Sequence, residues 1–178
     1  MNIICAGFGG QGVLTAGLIL GKTGVDQGKN VTWIPSYGSE MRGGTANCNL
    51  KISDEKISSP FVKEIDILLV MNMPSVDKFE SAVKSGGVIV SNKTLIKDYK
   101  FRDDIKLVEV DATAIAEELE NPKGSNIVMM GALAASGDLF TQSIIGNGIE
   151  DFFLSKGKNN PKNVTCFQKG VETAIVRK

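Results

Sequence analysis

The first fifty residues change hydrophobic period three times. Asn2 to Ala6 is a short apolar run ending in the glycine-dense stretch Gly7 to Gly12. Such a run, bounded by a turn signal, predicts a buried strand. From about Gln11 to Gln27, Val13, Leu14, Gly17, Leu18, Gly21 and Val25 recur at three- and four-residue spacing, and Gly28 follows as a stop. That spacing predicts an amphipathic helix. Val31 to Ile34 reads as a second strand, ended by Pro35. Strand, glycine turn, helix and strand together predict the opening of a βαβ unit.

After a polar loop the period becomes two. Ala46, Cys48, Leu50 and Ile52 alternate with Asn47, Asn49, Lys51 and Ser53. This predicts a half-exposed strand outside the parallel core. Ile65 to Met71 is apolar but for Asp66, the pattern of a central parallel strand. A helix over Ser75 to Lys84, stopped by Gly86-Gly87, precedes strands at Val88 to Ser91 and Leu107 to Asp111. Thr113 to Leu119 predicts a short helix. Asn126 to Ser136 is nearly all apolar and predicts a buried one. Ser155 to Asn160 reads as a flexible connection. Asn160-Pro161 then caps a terminal helix whose inner face is Val164, Phe167, Val171 and Ile175. The alternation predicts one domain over residues 1–178. Its fold is a three-layer α/β/α arrangement, with a mostly parallel sheet and at least one antiparallel or edge strand.

Composition narrows the chemistry. The 178 residues contain no His, so Ser–His–Asp and Cys–His machinery and the His-bearing zinc sites are excluded within the chain. Twenty Lys+Arg balance twenty Asp+Glu, which leaves no electrostatic footprint for nucleic acid. No apolar run reaches membrane-spanning length. Met1 to Cys5 lacks the basic and apolar regions of an export signal, so a cytoplasmic protein is expected. Cys5, Cys48 and Cys166 are widely spaced with no CxxC pair, which offers no local zinc or iron–sulfur site. They read as small buried hydrophobes of a reducing compartment.

Gly7, Gly9 and Gly12 satisfy G-x-G-x-x-G between a strand and a helix. Dinucleotide binding also needs an acidic residue at the end of the second strand; this chain has Pro35-Ser36-Tyr37 there. A tight packing turn, a bound phosphate or an interface against the turn all remain open. Gly21-Lys22-Thr23 imitates the end of a phosphate-binding loop. Ala16 occupies the position of the required earlier glycine, so Lys22 reads as a surface residue of the helix. The loop Ser36 to Thr45 follows the second strand, where α/β sheets place ligands. In it, Arg42 could fork onto a carboxylate or phosphate, and the plain alternative is a solvated loop with a Glu40–Arg42 pair.

Four motifs carry a resemblance: GFGGQGVLTAG (7–17), PSYGSEMRGGTANC (35–48), MNMPSVDKF (71–79) and NIVMMGAL (126–133). Through nearly its whole length the chain resembles the gamma subunit of 2-oxoacid:ferredoxin oxidoreductases, and most the 2-oxoglutarate type. Ser39 departs from a proline common there and removes no charge. The resemblance implies a role in oxidative decarboxylation of a 2-oxoacid to its acyl-coenzyme A, with ferredoxin as electron acceptor. The complex is implied to use thiamine diphosphate, magnesium, iron–sulfur clusters and coenzyme A. The alpha, beta and, where present, delta subunits hold the redox cofactors, and this chain alone holds none. No catalytic residue is expected here. A rim receiving coenzyme A or the 2-oxoacid is expected at Gly9, Gly10, Gln11, Gly12, Ser36, Tyr37, Glu40, Arg42, Gly43, Gly44, Thr45 and Asn72, with Asn92 on the same edge. A pyruvate or branched-chain enzyme, an independent small-molecule binding domain and a ligand-free scaffold are the competing expectations. An isolated chain would expose its partner face and could self-associate.

Overall fold

The computed structural model describes residues 1–37 and 45–177. Its elements in order are β1 (Asn2–Phe8), α1 (Val13–Asp26), β2 (Asn30–Tyr37), β3 (Thr45–Ser53), β4 (Ile65–Val70), α2 (Met73–Phe79), β5 (Val83–Asn92) and β6 (Lys106–Val110). There follow α3 (Ala112–Glu118), α4 (Ser125–Ser136), α5 (Gln142–Ser155), α6 (Lys162–Thr173) and β7 (Ile175–Arg177). The seven strands form one sheet in the order β2-β3-β1-β4-β5-β6-β7. Strands β1, β4, β5 and β6 are mutually parallel; β3 is antiparallel to both β1 and β2, and β7 is antiparallel to β6. Five strands, β2 included, therefore point one way.

The opening unit differs from the predicted βαβ in one respect. Strands β1 and β2 run parallel, but β3 is inserted between them and pairs with each. The period-two segment is thus internal to the sheet. Strand β2 also runs on through Pro35 to Tyr37. It is the sheet's edge, bonded on one side only, so a residue without an N–H fits.

The layers are unequal. One face of the sheet offers Ile3, Cys5, Ile67, Leu69, Val90 and Val108 to a core shared with α1, α3, α4, α5 and α6. The other offers Ile4, Ala6, Leu68, Val70 and Ile89 to Val76 of α2 and to Ile96, Phe101 and Ile105 of a long connection. Each fully buried aliphatic side chain contributes roughly 1.5–3 kcal/mol, so this alternation along β1 and β4 fixes the strand register.

Three sequence expectations need correction. The helix predicted over Ser75 to Lys84 ends at Phe79, and a 3₁₀ turn over Glu80–Ala82 leads into β5 at Val83. Gly86 bulges inside that strand, its N–H donating to the Asp104 carbonyl at 2.7 Å. The inner face of α6 is Asn163, Cys166 and Gly170 with Phe167 and Val171 beside them, while Val164 is exposed and Ile175 belongs to β7. Gly170 packs directly on Gly131 of α4, so contact with a glycine, rather than a run of large apolar residues, defines the buried side. Helix α5 was not anticipated. Its Gly146 and Gly148 weaken a helical reading but admit Phe167 and Thr23 respectively.

Candidate functional site

The carboxyl ends of β1, β2, β4 and β5 and the start of β3 lie on one edge of the sheet, since Phe8 faces Thr45 and Tyr37 faces Ala46 across their ladders. The chain leaves β1 through Gly9 and Gly10, which are exposed, and enters α1 at Gly12. Gly10 has φ +98° and Gly12 φ +75°, left-handed conformations that favour glycine. Open space lies where a Gly10 side chain would stand. No side chain among the described residues caps α1, and the Ala16 N–H to the Gly12 carbonyl, at 2.9 Å, is its first rung. The first-turn N–H groups of α1 therefore face this edge, and the helix dipole favours negative charge there.

Behind the turn stands a set of neutral amides. The Gln11 Oε1 accepts the Phe8 N–H at 2.6 Å and the Asn72 Nδ2 at 3.4 Å, while Gln11 Nε2 donates to the Met71 carbonyl at 3.4 Å. Asn72 also caps α2 by accepting the Ser75 N–H at 3.0 Å. Asn92 Nδ2 donates to the Met71 carbonyl at 3.4 Å and to Thr113 Oγ1 at 2.8 Å. Asn126, at the start of α4, donates from Nδ2 to the Gly12 carbonyl at 3.0 Å. Asn72, Asn92 and Asn126 are all buried. Buried amides of this kind hold loops because their donors and acceptors must find partners.

The expected site residues are thus placed as follows. Gln11 and Asn72 meet directly, and Gly9, Gly10 and Gly12 form the turn beside them. Ser36 and Tyr37 are exposed at the end of β2, and Thr45 is half-buried opposite Phe8. Glu40, Arg42, Gly43 and Gly44 lie outside the described residues. Lys22 is a surface residue of α1 paired with Asp26 at 2.7 Å, in keeping with the rejection of a phosphate-binding loop there. Asn126 and Thr113 were missed. The one signal for Asn126 was an amide opening an otherwise apolar helix.

The chemistry available to this amide set is binding and orientation. Its side chains are neutral amides and a hydroxyl, with no general acid, base or nucleophile among them. Among the described residues no three His, Cys, Asp or Glu side chains gather as a metal site. A cavity of about 470 Å³ lined by Tyr99, Phe101, Arg102, Glu109 and Arg177 lies elsewhere, over β6 and β7.

The chain is 39% identical over 175 residues to the ketoisovalerate oxidoreductase subunit VorA of Methanothermobacter marburgensis, covering 98% of this chain and 36% of that one. It therefore spans little more than a third of that relative's length. It is 36% identical to the 2-oxoglutarate synthase subunit KorC of Methanocaldococcus jannaschii, covering 97% of this chain and 93% of that one. Among solved structures, 2-oxoglutarate:ferredoxin oxidoreductase from Magnetococcus marinus, with 2-oxoglutarate, coenzyme A and succinyl-CoA bound, matches 97% of this chain and 30% of its own. That match has a TM-score of 0.84 at 20% identity and bears on fold. The family model for pyruvate ferredoxin/flavodoxin oxidoreductase matches residues 2–173, and the chain belongs to that family.

Proposed function

We propose that this chain is the gamma subunit of a 2-oxoglutarate:ferredoxin oxidoreductase, a single gamma-type domain over residues 1–178. In this reading it works in the cytoplasm with alpha, beta and, where present, delta subunits. The complex converts a 2-oxoacid and coenzyme A to acyl-coenzyme A and carbon dioxide, passing electrons to ferredoxin. The observation that carries the reading is end-to-end similarity to a KorC subunit of nearly equal length. Thiamine diphosphate, magnesium and iron–sulfur clusters are assigned to the other subunits. This chain contributes position, and the cofactors carry the hard chemistry.

Its contribution is a binding rim for coenzyme A or the 2-oxoacid. The uncapped start of α1, the open side of Gly10 and the amides of Gln11 and Asn72 suit an anionic or phosphate-bearing ligand. Arg42 is the proposed anion contact, on its sequence position between Tyr37 and Thr45. A branched-chain substrate is the second reading, favoured by the 39% identity to a ketoisovalerate enzyme.

The test is reconstitution with the partner subunits and assay of ferredoxin reduction on 2-oxoglutarate, 2-oxoisovalerate and pyruvate. Preference for 2-oxoglutarate supports the first reading, and preference for 2-oxoisovalerate supports the second. In the same complex Arg42→Ala should raise KM for coenzyme A or the 2-oxoacid while assembly is retained. Unchanged affinity for both, with unchanged assembly, would sink the rim assignment.

A further inference from the structure

Cys5 and Cys48 are direct register partners on β1 and β3. Both are free and fully buried on the face beneath α1. Met1 and Ile52 exchange both of their backbone hydrogen bonds, at 2.7 and 3.0 Å. Counting along the antiparallel ladder in steps of two makes Cys5 and Cys48 a hydrogen-bonded pair as well, with Cα atoms about 5.5 Å apart. A disulfide spans Cα separations of about 4.4–6.8 Å, and the Cβ atoms of a hydrogen-bonded pair, about 5.5 Å apart, must close by about 1 Å for the bond to form, so the two strands shift locally as it does. The Cys48 thiol donates to the Val13 carbonyl of α1 at 3.8 Å.

The surroundings distinguish the two sulfurs. The Trp33 indole N–H is buried without a hydrogen-bond partner, and it and the Cys48 sulfur both line the notch beneath Gly17. The adjacent Cys5 thiol lowers the Cys48 thiol, with the Trp33 indole adding to it against the opposing effect of burial. Cys5 moves the other way, raised by the neighbouring Cys48 thiol and by burial. Cys166 is on α6, beside Asn121, away from this pair.

We infer that Cys5 and Cys48 are a dithiol modification site that closes to a disulfide under hydrogen peroxide, stapling β1 to β3. The Cys48 thiolate attacks one peroxide oxygen; the S–O bond forms, the O–O bond breaks and, with the thiol proton, one water leaves. The Cys5 sulfur then attacks the Cys48 sulfur. The S–S bond forms, the S–O bond breaks, and the hydroxyl departs with the Cys5 proton as a second water. Two electrons pass from the sulfurs to the peroxide, and an external dithiol reverses the change. Both sulfurs are fully buried between internal strands and α1, so peroxide reaches them only in opened molecules and the oxidation is slow. Cys5 lies two residues before Gly7 and Cys48 three after Thr45, so the staple fixes the strands from which both glycine-bearing loops spring.

The full chain, purified under reducing conditions and then freed of reductant, is titrated with hydrogen peroxide, denatured in an alkylating agent and mapped without reduction. The expected result is a linked Cys5–Cys48 peptide, loss of two of the three thiols, and Cys166 alkylated. Trp33, the only tryptophan, should lose fluorescence as the adjacent disulfide forms and regain it with dithiothreitol. Cys5→Ser should abolish both the link and the reversible quenching. Sulfinic acid on Cys48 without a link, a link through Cys166, or intact Cys5 and Cys48 after Cys166 is consumed would each overturn the inference. These outcomes are read from the unmutated chain, so the test survives a variant that fails to fold.

Discussion

Replacing Gly12 with alanine probes the joint that aims the start of α1. Gly12 is left-handed, at φ 75° and ψ 17°, which costs a non-glycine residue about 1–2 kcal/mol. An added Cβ would stand 2.6 Å from Asn126 Nδ2 and 2.8 Å from its Cγ. Asn126 is held in a buried helix, so it must rotate and give up its 3.0 Å bond to the Gly12 carbonyl. Leaving that amide buried without a partner costs a further 1–3 kcal/mol or so, for a total of roughly 2–5 kcal/mol. In an Asn126→Ala background the backbone cost of about 1–2 kcal/mol remains, with only a 3.3 Å contact to the residue 126 Cβ to relax. The assay is urea denaturation of the four members of the cycle, followed by circular dichroism. A coupling of about 1–3 kcal/mol is expected, with Gly10→Ala showing strain but no coupling to Asn126. Additivity within about 0.5 kcal/mol would refute the claim that Asn126 holds the turn.

Three further outcomes are expected. Alanine at Gly131 would land on the Phe167 carbonyl, and at Gly170 on that of Val128; both should cost at least about 4 kcal/mol in thermal melts, whereas Gly146→Ala, which meets only the Phe167 ring, should cost far less. Burial opposes ionisation of Asp66, but Lys84 and the Asn2 N–H at 2.6 Å outweigh it and hold its carboxyl below the ordinary range. That stability is present above the unfolded carboxylate pKa and is lost as pH falls through the lower folded value, so Asp66→Asn should cost roughly 1 kcal/mol at neutral pH and little in acid. Tyr99 donates to Glu80 at 2.5 Å, and this bond with burial pushes its hydroxyl up to about 12. Ultraviolet titration should show a tyrosine ionising there and returning toward the ordinary range in Glu80→Gln; because the folded value is raised, its stabilising effect fades as pH climbs from the ordinary tyrosine range toward 12.

The sheet was legible where each residue's neighbours along the chain decide its fate. The runs at Asn2 and Ile65 and the alternation from Ala46 to Ile52 sit close to the observed strand limits. Which strand neighbours which was not legible, because the pairing of Cys5 with Cys48 depends on a residue 43 positions away. The short β7 escaped because three exposed edge residues carry no period. The terminal helix was rotated in the sequence reading, since Gly131 against Gly170 makes a buried face that hydrophobicity does not mark. In the candidate site, Gln11 and Asn72 were found from their place after strands. Asn126 was not, because its contact with Gly12 crosses 114 residues.

Hydrogen exchange on the assembled complex, with and without coenzyme A, tests the proposed rim most directly. If the uncapped start of α1 receives the ligand, amides from Gly9 to Thr15 should exchange more slowly when coenzyme A is present, and Arg42→Ala should diminish that protection. Protection confined to the other subunits, with the glycine turn exchanging at an unchanged rate, would contradict the account.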